Sequence, residues 1–483
     1  MLFNSQAFAA FFIIVFTLYW FVFKASGRLQ NVVLLTASYA FYCYWDWRLL
    51  WLLIFSTALH YTLGYYVGNT EDPKKRRLFV NLGIITSIGL LAYFKYANFF
   101  VSSFLSLFSG FNSKWSTHTL NIILPLGISF YTFRLLSYLF DVNKRKIQPT
   151  TDWLSFFTFA AFFPSLVSGP IDKAGFLLPQ LQKKRVFEEG MATDGLRQIL
   201  WGLFKKTVVA DNCALITDSV FAKYHTLPAS SIIISLFLYT IQIYADFSGY
   251  SDMAMGLAKL LGINITRNFD YPFFSQNIGE FWRKWHISLT TWLTEYVFTP
   301  LNIWLRDYDK AGIILAILIN FTLIGIWHGP NWTFVLFGFL HGCFYIPLIL
   351  KGSFNKKKKL TKGRLLPTFK EFVSMLGTFI LVMLSFVLFR SESVAQAGDI
   401  YRSLFSASLF TSPVFDKMNL VQHTFIFIGY LLVLEWLGKD GEHALSKLVP
   451  RWPAPVRWAF YYGSLVLIFL FAGLAQNFIY FQF

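Results

Sequence analysis

Long apolar stretches recur along almost the whole chain, and they constrain the fold more than any other feature. They lie at 7–23, 29–44, 49–68, 78–108, 119–141, 153–169, 228–247, 311–327, 331–350, 372–389, 420–437 and 456–480. The pattern predicts an all-α polytopic integral membrane protein with about 9–12 transmembrane helices, because a helix needs about 20 mostly apolar residues to cross a bilayer. Runs that are too short for a full span are expected to form re-entrant or interfacial helices.

Composition excludes the main alternatives to a membrane protein. Apolar residues make up 55% of the chain and charged residues 14%, whereas soluble domains have roughly 45–50% and about 25%. So few charges could not cover the rings of 57 Phe, 24 Tyr and 16 Trp in water, and disordered chains lack this apolar content. We therefore expect the net charge of +17 to mark a cytoplasmic membrane face rather than a nucleic-acid site.

The distribution of cations predicts the orientation of the first helices. Nine Lys and Arg residues lie in alternate loops, at 24, 28, 74–77 and 144–146, whereas the two loops between them carry Arg48 and Lys114. Positively charged loops stay on the cytoplasmic side, so we expect the N-terminus outside. Cations follow the first apolar run rather than precede it, which argues against a cleavable signal peptide.

Two further basic segments are predicted at the cytoplasmic surface. Between 196 and 209, Leu and Ile recur at helical spacing and the pair Lys205 and Lys206 follows, which predicts an amphipathic helix lying on the membrane. The run Lys356–Lys359 lies in a loop between apolar segments. Topology determination and contact with membrane lipid headgroups explain it.

Inserting an ionisable side chain at membrane depth costs roughly 2.5–3.5 kcal/mol of free energy, so such residues are rare there unless they have a functional role. The first segment that concentrates them is Gln242–Asp252, which contains Asp246, Ser248, Gly249 and Tyr250. One interpretation is a polar wall of a substrate cavity, with Gly249 allowing close helix contact. The other is a structural helix break at Gly249, with Asp252 capping the next helix.

The second polar segment is Glu280–Leu289. On a continuous helix Trp282 and His286 share a face, and Glu280 can pair with the cation three or four residues later. Tryptophans next to cations are also typical of an anchor at the membrane interface. From spacing alone, His286 is therefore either an interface histidine or a catalytic one.

The third polar segment is Gly325–Trp332, in which His328 ends an almost wholly apolar run. The Gly and Pro that follow it stop a helix. A single histidine beside Trp327 can be a packing residue, and the same holds for His341. His286 and His328 lie far apart in sequence without a nearby Cys or paired carboxylate, and the three cysteines are scattered, so we expect no metal site.

These segments occur together with Pro125–Phe133 (PLGISFYTF), Ser168–Ile171 (SGPI) and the aromatic end Phe478–Phe483. In this order and spacing, the sequence resembles the membrane-bound O-acyltransferase family, in particular its bacterial alginate and peptidoglycan O-acetylation branch. The resemblance implies a ring of helices around a central passage. It also implies one domain over 1–483, with N-terminal helices at 1–118, a catalytic core at 119–350 and C-terminal helices at 351–483.

The resemblance assigns the family's defining histidine to His328 and its second catalytic position to His286. It leads us to expect substrate-binding or channel residues around the two histidines, namely Asp246, Ser248, Tyr250, Trp282, Arg283, Trp285, Trp327 and Asn331. Arg134 and Asn302 depart from the residues that are commoner in bacterial relatives. We expect such departures to affect contacts with the acceptor or a partner.

The implied chemistry is acyl transfer from a thioester, acetyl-CoA or another, to a hydroxyl, without a metal or a tightly bound cofactor. A neutral imidazole that takes the hydroxyl proton accelerates such a step by about 10²–10⁴. We expect His328 to be largely neutral, because burial beside Trp327 disfavours the imidazolium although a helix C-terminus favours it. His286 could orient the hydroxyl, shuttle the proton or stabilise the oxyanion.

The expected location is the bacterial inner membrane. Cationic inside loops would attract an anionic thioester, and a passage would let the acyl group reach an exported polysaccharide. The resemblance further implies a periplasmic or extracytoplasmic acetyltransferase partner. Two other interpretations remain open, a non-enzymatic flippase or transporter of a lipid-linked glycan and a catalytically silent scaffold.

Overall fold

A computed structural model of the chain describes residues 1–108, 122–354, 364–473, 476 and 478. Regular structure in these residues is helical throughout, with no strand among them, so the predicted all-α fold is confirmed. Three sequence features lie outside the described residues: Lys114, the basic run Lys356–Lys359 and the last five residues of the chain.

Eight helical stretches in the described part are long and apolar enough to cross a membrane. They are Gly27–Asn69, Pro73–Leu105, Ala229–Leu260, Arg306–His328, Trp332–Leu350, Phe369–Arg390, Met418–Leu437 and Ala454–Phe471. The first stretch has 43 residues and consists of two 20-residue helices joined by a 3-10 turn, so it is long enough for two crossings. The chain is thus a multi-pass membrane protein.

The chain divides into two compact units, and the first comprises Met1–Glu188 with Leu261–Ile265. Its helices are α1 Gln6–Thr17, α2 Gly27–Asp46, α3 Leu50–Asn69, α4 Pro73–Leu91, α5 Ala97–Phe108, α6 Ile128–Asn143, α7 Trp153–Ala161, α8 Phe163–Leu166 and α9 Ala174–Leu181. The apolar run at 153–169 is therefore not one span. It forms α7 and α8, which are both too short to cross a bilayer.

Arg134 on α6 is buried within the first unit, with 1% of its surface exposed. Its guanidinium donates to the Phe159 carbonyl at 3.0 Å and to Ser165 Oγ at 2.6 Å, and it lies 3.8 Å from the Asp172 carboxylate. A buried arginine needs such a set of acceptors. In this structure Arg134 therefore joins α6 to the α7–α8 region.

The second unit comprises Glu189–Leu260 and Thr266–Phe483. Its helices are α10 Glu189–Leu203, α11 Asp211–Ala222, α12 Ala229–Leu260, α13 Ile278–Lys284, α14 Ile287–Leu293, α15 Thr299–Trp304, α16 Asp309–His328, α17 Trp332–Leu350, α18 Phe369–Arg390, α19 Val394–Leu404, α20 Met418–Leu437, α21 Ala444–Leu448 and α22 Ala454–Phe471. All residues of the candidate site lie in this unit.

The 32-residue helix α12 is buried along almost its whole length and packs closely against α10. A Cβ atom at Gly202 of α10 would lie 2.6 Å from the Gly249 carbonyl oxygen, and one at Gly256 would lie 2.5 Å from the Gly195 carbonyl oxygen. Small residues let two backbones approach this closely. The predicted close contact at Gly249 is confirmed, whereas the alternative of a helix break there is wrong because α12 continues through it.

Lys205 and Lys206, which the sequence places at the end of an amphipathic surface helix, lie in the interior instead. The face of α10 that packs inward carries Gly195, Gln198 and Trp201, whereas Leu196 is 57% exposed. The chain then continues through a π-helical segment, Phe204–Ala210, in which both lysines are buried. Small and polar residues, rather than the leucines, form the contact surface.

Candidate active site

His328 is the last residue of α16. The helix stops because Gly329 is extended and Pro330 follows, and Asn331 then caps α17 by accepting from the Thr333 amide at 3.0 Å. This boundary agrees with the stop that the sequence predicts. The His328 side chain is 3% exposed, and its ring centroid lies 5.0 Å from that of Phe389 and 6.1 Å from that of Phe337. Aromatic rings thus enclose the imidazole.

His286 lies in a turn between α13 and α14 rather than on a helix. The helix α13 ends at Lys284, Trp285 is extended, and His286 adopts the left-handed conformation with φ 45° and ψ 54°. The predicted shared helical face of Trp282 and His286 is therefore wrong. The interface interpretation is also wrong, because the His286 side chain is fully buried. A non-glycine residue in this region costs on the order of 1–3 kcal/mol and persists where surrounding contacts hold it.

The indole of Trp327 contacts both imidazoles. Its ring centroid lies 5.4 Å from that of His286 and 5.2 Å from that of His328, at interplanar angles of 72° and 75°. Phe247 of α12 packs on His286 from another direction, at 4.7 Å and 83°. The fold therefore brings two histidines that are 42 residues apart in sequence against one aromatic side chain.

A buried amide holds the His286 ring. Asn268 Oδ1 lies 3.0 Å from His286 Nδ1 and also accepts from Ser288 Oγ at 2.9 Å. Asn268 is fully buried, and no sequence pattern singles it out. Burial lowers the pKa of His286 to about 3, so this imidazole is neutral at physiological pH.

Trp282 and Trp285 support the turn that contains His286. Trp282 Nε1 donates to His341 Nδ1 at 3.1 Å, and His341 Nε2 lies 2.9 Å from Ser385 Oγ. Both ring nitrogens of His341 are thus hydrogen-bonded, as the packing interpretation of this histidine expects. Trp285 stacks on Phe281 at 5.3 Å and 21°.

Two adjacent buried lysines pair with the carboxylates of α12, and the first is Lys205. Its Nζ lies 2.5 Å from Asp252 Oδ2 and donates to Ser248 Oγ at 3.0 Å. Glu435 of α20 lies 4.0 Å from the same Nζ and accepts from the Tyr244 hydroxyl at 2.8 Å. Asp252 thus lies inside α12 and pairs with Lys205 of the π-helical segment. Its predicted role as the cap of a following helix is wrong.

The second lysine, Lys206, lies between two carboxylates. Its Nζ is 2.7 Å from Asp246 Oδ1, 2.9 Å from Asp211 Oδ1 and 3.2 Å from the Gln476 carbonyl. Burial raises the pKa of the Asp211 carboxyl to about 7, although the ammonium of Lys206 opposes this shift. The buried ammonium of Lys206 is thus paired with two carboxyl groups, those of Asp246 and Asp211.

The sequence pattern did not indicate that Lys205 and Lys206 are buried and paired with carboxylates of α12. The signal that could have found them is the presence of Asp246 and Asp252 in an apolar helix, because buried carboxylates require cationic or hydrogen-bonding partners. Periodicity placed the lysines at a membrane surface instead. Their partners on α12 are 40 and 47 residues away in sequence, beyond the reach of a helical pattern.

The remaining predicted site residues occupy different places in the second unit. Tyr250 packs on Phe478 with 4.8 Å between ring centroids. Asn331 caps α17 and donates to the Glu392 carbonyl at 2.7 Å. Arg283 donates to the Phe354 carbonyl at 3.1 Å, and Glu280 forms the expected pair with Lys284 at 2.9 Å.

A cavity of about 470 Å³ adjoins the turn that contains His286. It is lined by Asp270, Glu280, Trp282, Arg283, Lys284, Ile287, Thr290, Thr291 and Thr294. Cationic, acidic and hydroxyl groups can together hold a polar, charged ligand. Among the described residues, no three His, Cys, Asp or Glu side chains converge in a way that could hold a metal ion.

The sequence profile of the membrane-bound O-acyltransferase family matches residues 144–387. This range is half of the chain, and it contains His286, Trp327, His328 and both buried lysines.

Curated proteins similar to this chain cover most of its length. A protein of Azotobacter vinelandii named probable alginate O-acetylase is 33% identical, over 90% of this chain and 84% of the relative. The peptidoglycan O-acetyltransferase of Helicobacter pylori is 30% identical, over the whole of this chain and 98% of the relative. The teichoic acid D-alanyltransferase of Streptococcus thermophilus is 28% identical, over 62% of this chain and 82% of the relative.

Proposed function

Because the chain belongs to the membrane-bound O-acyltransferase family and is an O-acyltransferase, we propose that it passes an acetyl or similar short acyl group across the bacterial inner membrane. The donor in this proposal is a cytoplasmic thioester, acetyl-CoA or another. The acceptor is a hydroxyl of an exported or cell-wall polysaccharide, and a periplasmic acetyltransferase partner completes the transfer. The alginate and peptidoglycan named for the relatives support this class of acceptor.

The observation that carries the proposal is the contact of Trp327 with both imidazoles. Two buried histidines at one indole can act on one reacting group. In the proposed step the hydroxyl that first receives the acyl group attacks the acyl carbon while its proton passes to His328. The bond from carbon to sulfur then breaks, and the imidazolium returns the proton to the departing thiolate, so no net proton is consumed.

His286 assists this step as a neutral group. Burial lowers the pKa of His286 to about 3, which keeps the ring uncharged over the physiological range. The indole of Trp327 packs against the imidazoles of both His286 and His328. Lys205 and Lys206 neutralise Asp252 and Asp246, so the polar side chains of α12, including Ser248, can remain in the core.

The approach of the donor is supported by the cavity beside His286. Arg283 and Lys284 line it together with three threonines and the carboxylates of Asp270 and Glu280. The cations and hydroxyls among these groups suit the phosphates and amides of a thioester carrier. In this proposal the acyl group enters from the cytoplasmic side, and the anionic carrier stays behind. The N-terminus lies on the outer side, as the distribution of cations predicts.

The proposal is tested with purified protein and radiolabelled acetyl-CoA. The wild type should release CoA or label an oligosaccharide acceptor, and His328→Ala should lower turnover by about 10²–10⁴, the contribution of a general base. His225→Ala is the matched control, because His225 is exposed and lies outside the site. It should retain full turnover.

Two results would contradict the proposal. A transporter of lipid-linked glycan would show no release of CoA by the folded wild type with any thioester and acceptor. A scaffold would allow His328→Ala to restore glycan acetylation fully in cells that lack the wild-type protein.

A further inference from the structure

We propose that Asn268 is a positioning residue that holds His286 in the tautomer with its hydrogen on Nδ1, so that Nε2 is the unprotonated nitrogen. This inference rests on the proposed function, because it concerns the way in which His286 takes part in acyl transfer. It assigns to Asn268 no contact with the substrate. Its basis is the set of hydrogen bonds around Asn268 and His286, which is compatible with only one placement of the hydrogen atoms on the two side chains.

The orientation of the Asn268 amide follows from its neighbours. The backbone amide of Ser288 points at Oδ1 at 3.3 Å, and a backbone N–H can only donate. The atom that faces it must therefore be the oxygen. The other end of the amide, Nδ2, donates to Ser251 Oγ at 3.3 Å, which agrees with this orientation.

The tautomer of His286 follows from the amide orientation. An amide oxygen only accepts hydrogen bonds, so the imidazole nitrogen 3.0 Å away must carry a hydrogen. That nitrogen is Nδ1. A neutral imidazole carries one ring hydrogen, and it is used in this bond.

The backbone on both sides holds the same arrangement. The Ile287 amide donates to the Asn268 carbonyl at 2.8 Å, and the Asp270 amide donates to the Lys284 carbonyl at 2.9 Å. The left-handed conformation of His286, with φ 45°, lies between these two bonds. Strained backbone at a site persists where its surroundings determine it, and here Asn268 contributes both main-chain and side-chain contacts.

This tautomer selects among the roles that are open to His286. An unprotonated Nε2 can accept a hydrogen bond from the acceptor hydroxyl or carry its proton. It cannot donate to an oxyanion, which needs an N–H group. The geometry therefore favours orientation of the hydroxyl or transfer of its proton over stabilisation of the oxyanion by His286.

The side chains that pack on His286 from the long helices are apolar aromatics, Phe247 of α12 and Trp327 of α16. On the segment that carries Asn268, Arg267 pairs with Asp270 at 2.9 Å. A small polar cavity that Asn268 also lines includes four further charged groups, Lys205, Asp252, Glu435 and Glu442, together with His443. All these groups stay unchanged in the variants below, so they affect wild type and variants alike.

A direct test is nitrogen NMR of the full-length protein labelled with ¹⁵N-histidine in detergent or nanodiscs. The His286 signal is assigned by its loss in His286→Gln. We expect the wild type to show the hydrogen on Nδ1, and Asn268→Leu to move it partly to Nε2. A wild-type signal with the hydrogen on Nε2 would overturn the inference, as would a signal that Asn268→Leu leaves unchanged.

Kinetics give a second readout, in which Asn268→Asp is the informative variant. An aspartate keeps the acceptor for Nδ1 and for Ser288, but its charge stabilises the imidazolium and raises the pKa of His286. Turnover should therefore be retained at high pH, and its acid limb should move to higher pH. Asn268→Leu should lower kcat by about 10²-fold with little change in KM, at the lower end of what a base contributes.

The matched control is Ser288→Ala, which removes one donor to the same Oδ1 but keeps the bond to His286. It should retain the pH profile and the kcat of the wild type. If Asn268→Asp leaves the profile unmoved, or Ser288→Ala loses as much kcat as Asn268→Leu, Asn268 acts only through its hydrogen bonds with Ser288, and the inference fails. If the wild type releases no CoA, the proposed function fails instead, and the NMR experiment still decides the tautomer.

Discussion

The indole of Trp327 lies edge-on to the imidazole of His286, with 5.4 Å between the ring centroids and 72° between the planes. Trp327 directly precedes His328 at the end of α16, whereas His286 lies in the turn after α13. One side chain thus links the two elements that carry the histidines. Both imidazoles pack on this ring.

We expect Trp327→Phe to reduce kcat by roughly two- to tenfold, because an aromatic pair contributes about 0.5–1.5 kcal/mol beyond the area it buries. Trp327→Ala should remove turnover almost completely and lower the free energy of unfolding by about 3–5 kcal/mol. CoA release and thermal unfolding in detergent measure the two effects. Equal turnover of Trp327→Ala and the wild type would rule out a role for the Trp327 indole in catalysis.

The pH profile of the wild type should distinguish the two histidines. Burial lowers the pKa of His286 to about 3, so its titration does not contribute between about pH 5 and 8, the range in which histidines usually titrate. His286→Gln should therefore leave unchanged the pH of any inflection of kcat in that range. Single-turnover rates of the wild type and the variant measure it, provided that chemistry limits the rate, and an inflection that moves in the variant would contradict the low pKa of His286.

Lys205→Met should destabilise the protein by up to about 3–5 kcal/mol, because it leaves the mostly buried carboxylate of Asp252 without its cation. The double variant with Asp252→Leu should recover much of this loss, since both charges are then removed. Urea or thermal unfolding of the single and double variants measures the coupling. Additive losses would show that the ion pair between these residues contributes nothing specific.

Asp211→Asn should stabilise the protein at pH 8 but not at pH 4. The pKa of Asp211 is raised to about 7 in the folded state, so the wild-type carboxyl favours folding when protonated. That contribution is complete below the pKa of the unfolded chain, near 3.8, and is lost as the pH rises through about 7. Thermal unfolding across this range should show the advantage of the variant increasing with pH, and a constant difference would contradict the assignment.

Gly249→Ala should destabilise the packing of α10 on α12. A Cβ atom there would lie 2.8 Å from the Gly202 carbonyl oxygen, which is too close without a shift of one helix. Gly429→Ala on α20 is the control, because nothing lies within 4 Å of its added Cβ. This control should be neutral or stabilising by up to about 1 kcal/mol, since alanine favours a helix more than glycine does. Similar unfolding temperatures for both variants would exclude the close contact.

Local sequence determined the membrane class and several boundaries of this protein. Apolar runs long enough to span lipid predicted the helices, because each helix satisfies its own backbone hydrogen bonds and needs only an apolar surface. The end of α16 at His328 follows from Gly329 and Pro330, and the Glu280–Lys284 pair follows from helical spacing. In each case the cause lies within a few residues of the effect.

Tertiary structure decided the site itself. The sequence allows Gly249 either to break α12 or to make a close contact with another helix. The outcome depends on Gly202 of α10, almost 50 residues earlier in the chain, which packs against it. From the sequence, Lys205 and Lys206 are expected at the surface, but in the structure they are buried and pair with Asp252 and Asp246 of α12. His286 lies in a turn rather than in a helix, and Asn268 binds that turn. Charges, ring contacts and strained turns depend on partners far away in sequence, and periodicity carries no information about those partners.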